Sequence, residues 1–202
     1  MMTPFHVLVV CTGNICRSPA AQLLLQHHLD EATPGAFAVS SAGTQAVVGS
    51  GVHRLTAAAL TELGHHPGEA HEARQLTAEI LDGADLVLTA ARDQRVAAAV
   101  LHGATLARVF TLLEFARLAS TVSDEAGDLA DLVERARRQR GLSQPQRPDA
   151  DDLPDPISGD AGVHRRTVEL IDVATRAIAT ALASRAPRVP VPSPGRRRRS
   201  PT

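Results

Sequence analysis

Phe5-His6-Val7-Leu8-Val9-Val10-Cys11-Thr12-Gly13-Asn14-Ile15-Cys16-Arg17-Ser18-Pro19 is the stretch that decides how this chain is read. Its first six residues form a short run rich in Val and Leu, as expected of a strand buried on both faces. A Gly-containing turn follows. From Ser18-Pro19 onward Ala20, Ala21, Leu23, Leu24 and Leu25 give a helical stripe, and Ser followed by Pro in the first turn is a helix start signal. A loop that leaves a buried strand and opens a helix aims successive backbone N–H groups, and the helix N-terminus itself, at one point. Gly13 tolerates positive φ and Asn14 is the next best residue for it, so Thr12, Gly13, Asn14, Ile15, Cys16 and Arg17 can curl round a tetrahedral oxyanion. Arg17 adds a planar fork that can bind two phosphate oxygens at once. Cys11, at the strand end, sits beneath that anion in a positive environment that favours thiolate. The combination is a nucleophile inside a phosphate cradle.

Outward from this segment, the strand-then-helix pattern repeats. Phe37 to Ser40 reads as strand, Val52 to Leu63 as helix ending at Gly64, Ala84 to Leu88 as strand, Gln94 to Leu101 as helix and Arg108 to Thr111 as strand. Such alternation calls for an α/β fold, a four-stranded parallel sheet with helices on both faces. Further helices are expected over Leu112 to Leu118, over about Asp128 to Arg140, where Asp131/Arg135 and Glu134/Arg138 are spaced for pairing, and over about Asp160 to Ala183. In the last, Val163, Leu170, Ile171, Ala174, Ile178 and Leu182 lie near one face. Ser143 to Pro154 is a polar loop. The boundaries expected are one domain over residues 1–186 and a disordered, basic, Pro-rich tail over 187–202.

The 202 residues are 44% hydrophobic, enough for a packed core. Charge argues against a general nucleic-acid binder: 21 basic residues stand against 22 acidic, and five of the arginines lie in the tail, so the rest of the chain is acidic. There is no lysine, Trp or Tyr. No segment has the charged start and apolar length of a secretory signal or the roughly 20 apolar residues of a membrane span. The chain therefore reads as cytoplasmic, with no membrane partner. Cys11 and Cys16 are the only cysteines, five positions apart, which excludes a disulfide scaffold.

The segment from Val9 to Pro19 resembles the signature loop of the low-molecular-weight protein tyrosine phosphatases, whose relatives include a class of arsenate reductases. The likeness continues through Ser40-Ser41-Ala42-Gly43-Thr44, His71-Glu72-Ala73-Arg74-Gln75-Leu76, Ala84-Asp85-Leu86-Val87-Leu88 and Asp155-Pro156, and covers most of residues 5 to 183, with an extra stretch from about Ala119 to Asp152. The resemblance implies the phosphatase I-like fold and a hydrolase that passes through a cysteinyl-phosphate. It implies Cys11 as nucleophile, Arg17 as phosphate binder, Asp155 as general acid, Ser18 bonded to the thiolate, and Asn14, Ser41 and His71 holding the loop in shape. No cofactor or metal is implied. Chemistry by itself asks for a carboxylic acid over the site, to protonate the leaving oxygen and later take a proton from water. On residues alone Asp149, Asp151, Asp152, Asp155 and Asp160 compete for that role.

The sequence also departs from the tyrosine-specific pattern. Aromatics usually line the cleft mouth, yet here Ile157 and Ser158 follow Asp155-Pro156, and Thr44 to Val48 holds no aromatic. The leading reading is a phosphatase acting on phosphotyrosine in proteins or on a small phosphomonoester. Two others stand beside it: an arsenate reductase using an external small thiol, and a catalytically weak phosphate-binding module. Cys16 is read either as a partner that protects Cys11 under oxidation or as a small buried residue. His27-His28 and His65-His66 are not read as metal ligands, because adjacent helical side chains diverge and no Cys or carboxylate falls at ligand spacing. Gly49-Ser50-Gly51 reads as a cleft-edge loop rather than half of a dinucleotide fingerprint.

Overall fold

The structure, a computed structural model, describes residues 3–67, 71–122, 127–145, 147 and 149–186. Four parallel strands, β1 (Phe5–Cys11), β2 (Phe37–Gly43), β3 (Leu86–Thr89) and β4 (Val109–Thr111), lie in the order β2-β1-β3-β4. The register sets Cys11 beside Gly43, Val10 beside Thr89, and Thr89 beside Thr111. The carboxyl ends of all four strands therefore share one edge. Chain order reverses between β1 and its neighbours, and in open α/β sheets that switch point opens a crevice outside the strand ends. Cys11 stands there.

Val7 and Val9 point to one face of the sheet and Leu8 and Val10 to the other, all buried, which is why the strand reads as a continuous apolar run. On the Val7/Val9 face the core takes in α1 (Arg17–Ala32), α2 (Arg54–Glu62), α5 (Leu112–Ala119), α6 (Leu129–Gln139) and α7 (Ala161–Ala183). On the Leu8/Val10 face it takes in α3 (Ala78–Asp82) and α4 (Arg92–Leu101). α7 packs chiefly on α1, and to a similar lesser extent on α2 and α5. The α/β architecture expected from the alternating pattern is present, with helices on both faces.

Several local details differ from the sequence reading. α1 starts at Arg17, ahead of Ser18, and has no side-chain cap; the Ser18 hydroxyl is taken by Cys11 and Asn14 instead. α3 and a 3₁₀ turn at Gly103–Ala107 were not expected; five-residue elements are too short to show a period. On α7, Leu170 is 37% exposed while Thr167 and Val168 are buried, because the buried stripe runs through His164, Thr167, Val168, Ile171, Thr175 and Ile178. Glu134 pairs with Arg138 as expected, and with Arg137 as well; the two arginines hold its carboxyl down to about 2.

The stretch after α5 covers the free side of β4. Arg140, at the end of α6, lies over the Phe110 ring at 4.4 Å, donates to the Val109 carbonyl at 2.6 Å and to Glu114 at 2.8 Å. Glu114 also accepts from Arg95 and closes a capping box with Thr111 at the start of α5. The expected tail over 187–202 lies outside the described residues.

Candidate active site

The loop from Cys11 to Arg17 is built on one residue in the left-handed region, and it is Asn14, at φ 56°, rather than Gly13. A non-glycine residue there must be held by its surroundings, and Asn14 is fully buried and held on every side. Its amide donates to Ser18 Oγ at 2.9 Å and Ser41 Oγ at 2.8 Å, its Oδ1 accepts the Arg74 backbone N–H at 2.9 Å, and its carbonyl lies 2.8 Å from His71 Nε2. Ser41 in turn donates to Gln22 at 2.6 Å. Two distant segments, β2 and the His71 to Arg74 stretch, thus converge with the adjoining α1 on one turn.

The outer wall of the loop is backbone. Thr44 N–H donates to the Cys11 carbonyl, Gln45 to Thr12 and Val47 to Gly13, at 2.9 to 3.0 Å. Gly43 permits that approach: a Cβ there would sit 2.4 Å from the Thr12 carbonyl. With their carbonyls occupied outside, the loop amides turn inward. The Asn14 N–H lies 3.3 Å from Cys11 Sγ and the Ser18 hydroxyl 3.0 Å from it, so the sulfur has two donors placed to stabilise negative charge.

Arg17 is 6% exposed. Its Nη2 donates to Asp155 Oδ2 at 2.5 Å, while its buried Nε has no acceptor among the described residues. Buried guanidinium donors without a partner are costly, and an oxyanion in the loop would supply the acceptor. A cavity of about 250 Å³ opens there, lined by Cys11, Thr12, Gly13, Ile15, Cys16, Arg17, Gln45, Val47, Asp155 and Ile157. Its lining suits a tetrahedral anion beside Arg17 and an apolar group beside Ile15, Val47 and Ile157.

The five candidate carboxylates separate cleanly. Asp151 pairs with Arg117 at 2.6 Å, Asp152 caps α4 through the Arg92 N–H, Asp160 caps α7, and Asp149 is exposed away from the cavity. Asp155 alone of these lines it. Its loop is tied to the sheet edge by Leu153 N–H to Ala90 and by Thr111 Oγ1 to the Asp151 carbonyl, and its own Oδ1 accepts the Ile157 N–H.

Sequence reasoning missed Arg74, whose Nε also donates to the Ser41 carbonyl, Gln22, and Gln94, which reaches Thr12 at 3.2 Å. Arg74 and Gln22 act through positions 33 and 19 residues away, so no spacing in the chain betrays them. It also missed a carboxylate: Glu31 joins His27 and His28 within ligand distance, one turn along α1, although His28 Nε2 already pairs with Asp172 at 2.9 Å.

Residues 6–134 match the family model described as low molecular weight phosphotyrosine protein phosphatase. The chain is 39% identical over 110 residues, 54% of its length and 70% of the relative's, to "Probable low molecular weight protein-tyrosine-phosphatase EpsP" of Ralstonia nicotianae. It is 42% identical over 86 residues to the low molecular weight protein-tyrosine-phosphatase Wzb of Escherichia coli K12, covering 42% of this chain and 53% of that one. Among solved structures, the YwlE arginine phosphatase from Geobacillus stearothermophilus superposes with a TM-score of 0.65 at 28% identity, over 89% of this chain and 93% of that one. A low molecular weight protein tyrosine phosphatase from T. tengcongensis does so with a TM-score of 0.66 at 25% identity, over 87% and 98%. With the loop, the sheet edge and the sequence match in agreement, this chain belongs to the low-molecular-weight protein tyrosine phosphatases, hydrolases that work through a cysteinyl-phosphate.

Proposed function

We propose that the chain removes phosphate from phosphotyrosine in proteins, with Cys11 as nucleophile, Arg17 and the amides from Thr12 to Arg17 as the phosphate cradle, and Asp155 as general acid and then base. The observation that carries the reading is the buried Arg17 guanidinium aimed into the same cavity as Cys11 Sγ, one of its donors unpartnered. Cys11 attacks phosphorus from beneath while the loop amides and Arg17 take up the charge on the equatorial oxygens. Ser18 and the Asn14 N–H stabilise the sulfur as thiolate before attack and as leaving group afterwards. Asp155 gives its proton to the departing oxygen, then accepts one from the water that frees phosphate. Asn14, Ser41 and His71 are positioning residues.

The apolar mouth favours an aryl leaving group over the charged guanidinium of a phosphoarginine, the substrate class in the name of the Geobacillus relative. Arsenate reduction with an external thiol is the second reading, favoured by a cavity that would hold arsenate as readily as phosphate. Two free cysteines suit a reducing, cytoplasmic compartment. Turnover of an aryl phosphate, a phosphotyrosine peptide, a phosphoarginine peptide, and arsenate with added thiol separates these readings: hydrolysis of the first two, metal-free, supports the proposal, and arsenate turnover alone overturns it.

A further inference from the structure

Behind the phosphate loop lies a second cluster that the hydrolysis does not use. Cys16, His53 and His164 come from the loop, the residue before α2, and the first turn of α7, and one ligand atom of each lies within 4.8 Å of the other two. The imidazoles of His53 and His164 are stacked at 11° with centroids 4.8 Å apart. Thr56 Oγ1 lies 2.9 Å from His164 Nδ1, which fixes that ring. His53 Nδ1 and His164 Nε2 are buried with no hydrogen bond of good geometry among the described residues, the Pro156 carbonyl being the polar group that acts on the fully buried His164 ring from outside the cluster. Two orphaned imidazole nitrogens beside a buried thiol are hard to explain as packing.

We propose that Cys16, His53 and His164 form a zinc site whose occupation slows the phosphatase reversibly, a proposal that takes its inhibitory half from the role given to Asp155 above. One thiolate and two neutral imidazoles are the donor set of a borderline-soft divalent ion, and three protein ligands leave the fourth tetrahedral position open. Burial pushes His164 down, which keeps it neutral and ready to ligate. Burial also pushes the Cys16 thiol up to about 11, so binding must expel that proton: the ion sheds water, the sulfur loses its hydrogen to solvent, and a zinc–thiolate bond forms. Tetrahedral zinc spaces S and N ligands roughly 3.5 Å apart, so from separations of no more than 4.8 Å the cluster contracts by about an ångström at most. His53, half-buried and on a loop, can tilt out of its stack to do so.

The site would reach catalysis through charge. Cys16 lines the same cavity as Cys11 and Asp155. A dication at Cys16, on the wall that carries Asp155, draws that carboxylate away from the leaving oxygen. Zinc should therefore slow esters with poor leaving groups more than esters whose leaving group departs as an anion.

The test uses the full chain and cobalt(II), whose thiolate charge-transfer absorbance reports ligation without reference to activity. Cys11→Ser, which leaves Cys16 as the only thiol, should give the band, and zinc should abolish it. Cys16→Ser should lose it. His53→Ala keeps the backbone bond from residue 53 to Ile15 and should keep activity without zinc, while weakening cobalt binding about tenfold or more and raising the zinc needed for half-inhibition to match. No band in folded Cys11→Ser protein, or a band and zinc inhibition unmoved by His53→Ala, overturns the site. A cobalt band with equal zinc inhibition of good and poor leaving groups keeps the site and overturns the route through Asp155.

Discussion

Arg17 Nη2 and Asp155 Oδ2 meet at 2.5 Å across 138 positions of sequence, so the residue proposed to grip phosphate and the residue proposed to protonate its ester are bonded to each other. An incoming phosphate competes with Asp155 for that fork.

Asp155→Asn should therefore bind orthovanadate at least as well as the native protein while losing about 10²–10⁴-fold in turnover of alkyl-like, poor leaving groups. Esters whose leaving group departs as an anion should slow far less. A leaving-group series with calorimetry of vanadate binding checks both, and equal slowing across the series would move the acid to a neighbour such as Asp152.

The two thiols should separate by reactivity. Burial holds Cys16 up to about 11, so below that pH it is a neutral thiol and its thiolate fraction falls tenfold per unit. Iodoacetate near pH 7.5, with chelator present, should label Cys11 alone, phosphate should protect it, and Cys16 should begin to label only as pH climbs toward 11. Peptide mapping by mass spectrometry decides. Cys11→Ser should lose turnover by about 10⁴-fold or more and keep phosphate binding.

Gly43→Ala tests the backbone wall. Its Cβ would meet the Thr12 carbonyl at 2.4 Å, and strain of that kind costs about 1–3 kcal/mol. We expect a lower melting temperature together with weaker phosphate binding, since the carbonyl that must give way belongs to the loop itself. An unchanged vanadate affinity would mean the wall is dispensable.

Ile157, 48% exposed at the cavity mouth, offers no stacking face. Ile157→Tyr should tighten isolated phosphotyrosine by about 0.5–1.5 kcal/mol, several-fold in affinity, with kcat for a small phosphomonoester little changed. Inhibition constants for phosphotyrosine and a non-aromatic phosphomonoester measure the difference, which should appear only for the aromatic.

The fold was legible because the alternation of apolar strand and amphipathic helix is periodic, and period is what a sequence displays. Cys11 and Arg17 were legible because the loop is contiguous. On residues alone Asp155 was one of five and only the family resemblance singled it out; in the structure Asp151, Asp152 and Asp160 are engaged elsewhere, by partners such as Arg117 and Arg92 that lie far off in sequence. The left-handed residue was read as either Gly13 or Asn14, and tertiary bonds chose Asn14. The His53–His164 pair was invisible for the same reason: only the packing of α7 on α2 brings them together.

The bond from Arg140 to the Val109 carbonyl bears on how the molecule behaves in a crowd. β4 is a three-residue border strand, and an unanswered carbonyl there is an invitation for a strand of another molecule to pair. A guanidinium spread over Phe110 and anchored to Glu114 occupies that invitation. Arg140 and the helix that carries it thus work as a guard against sheet-to-sheet association, and a chain without them would face aggregation as its first failure, ahead of any loss at the distant phosphate loop.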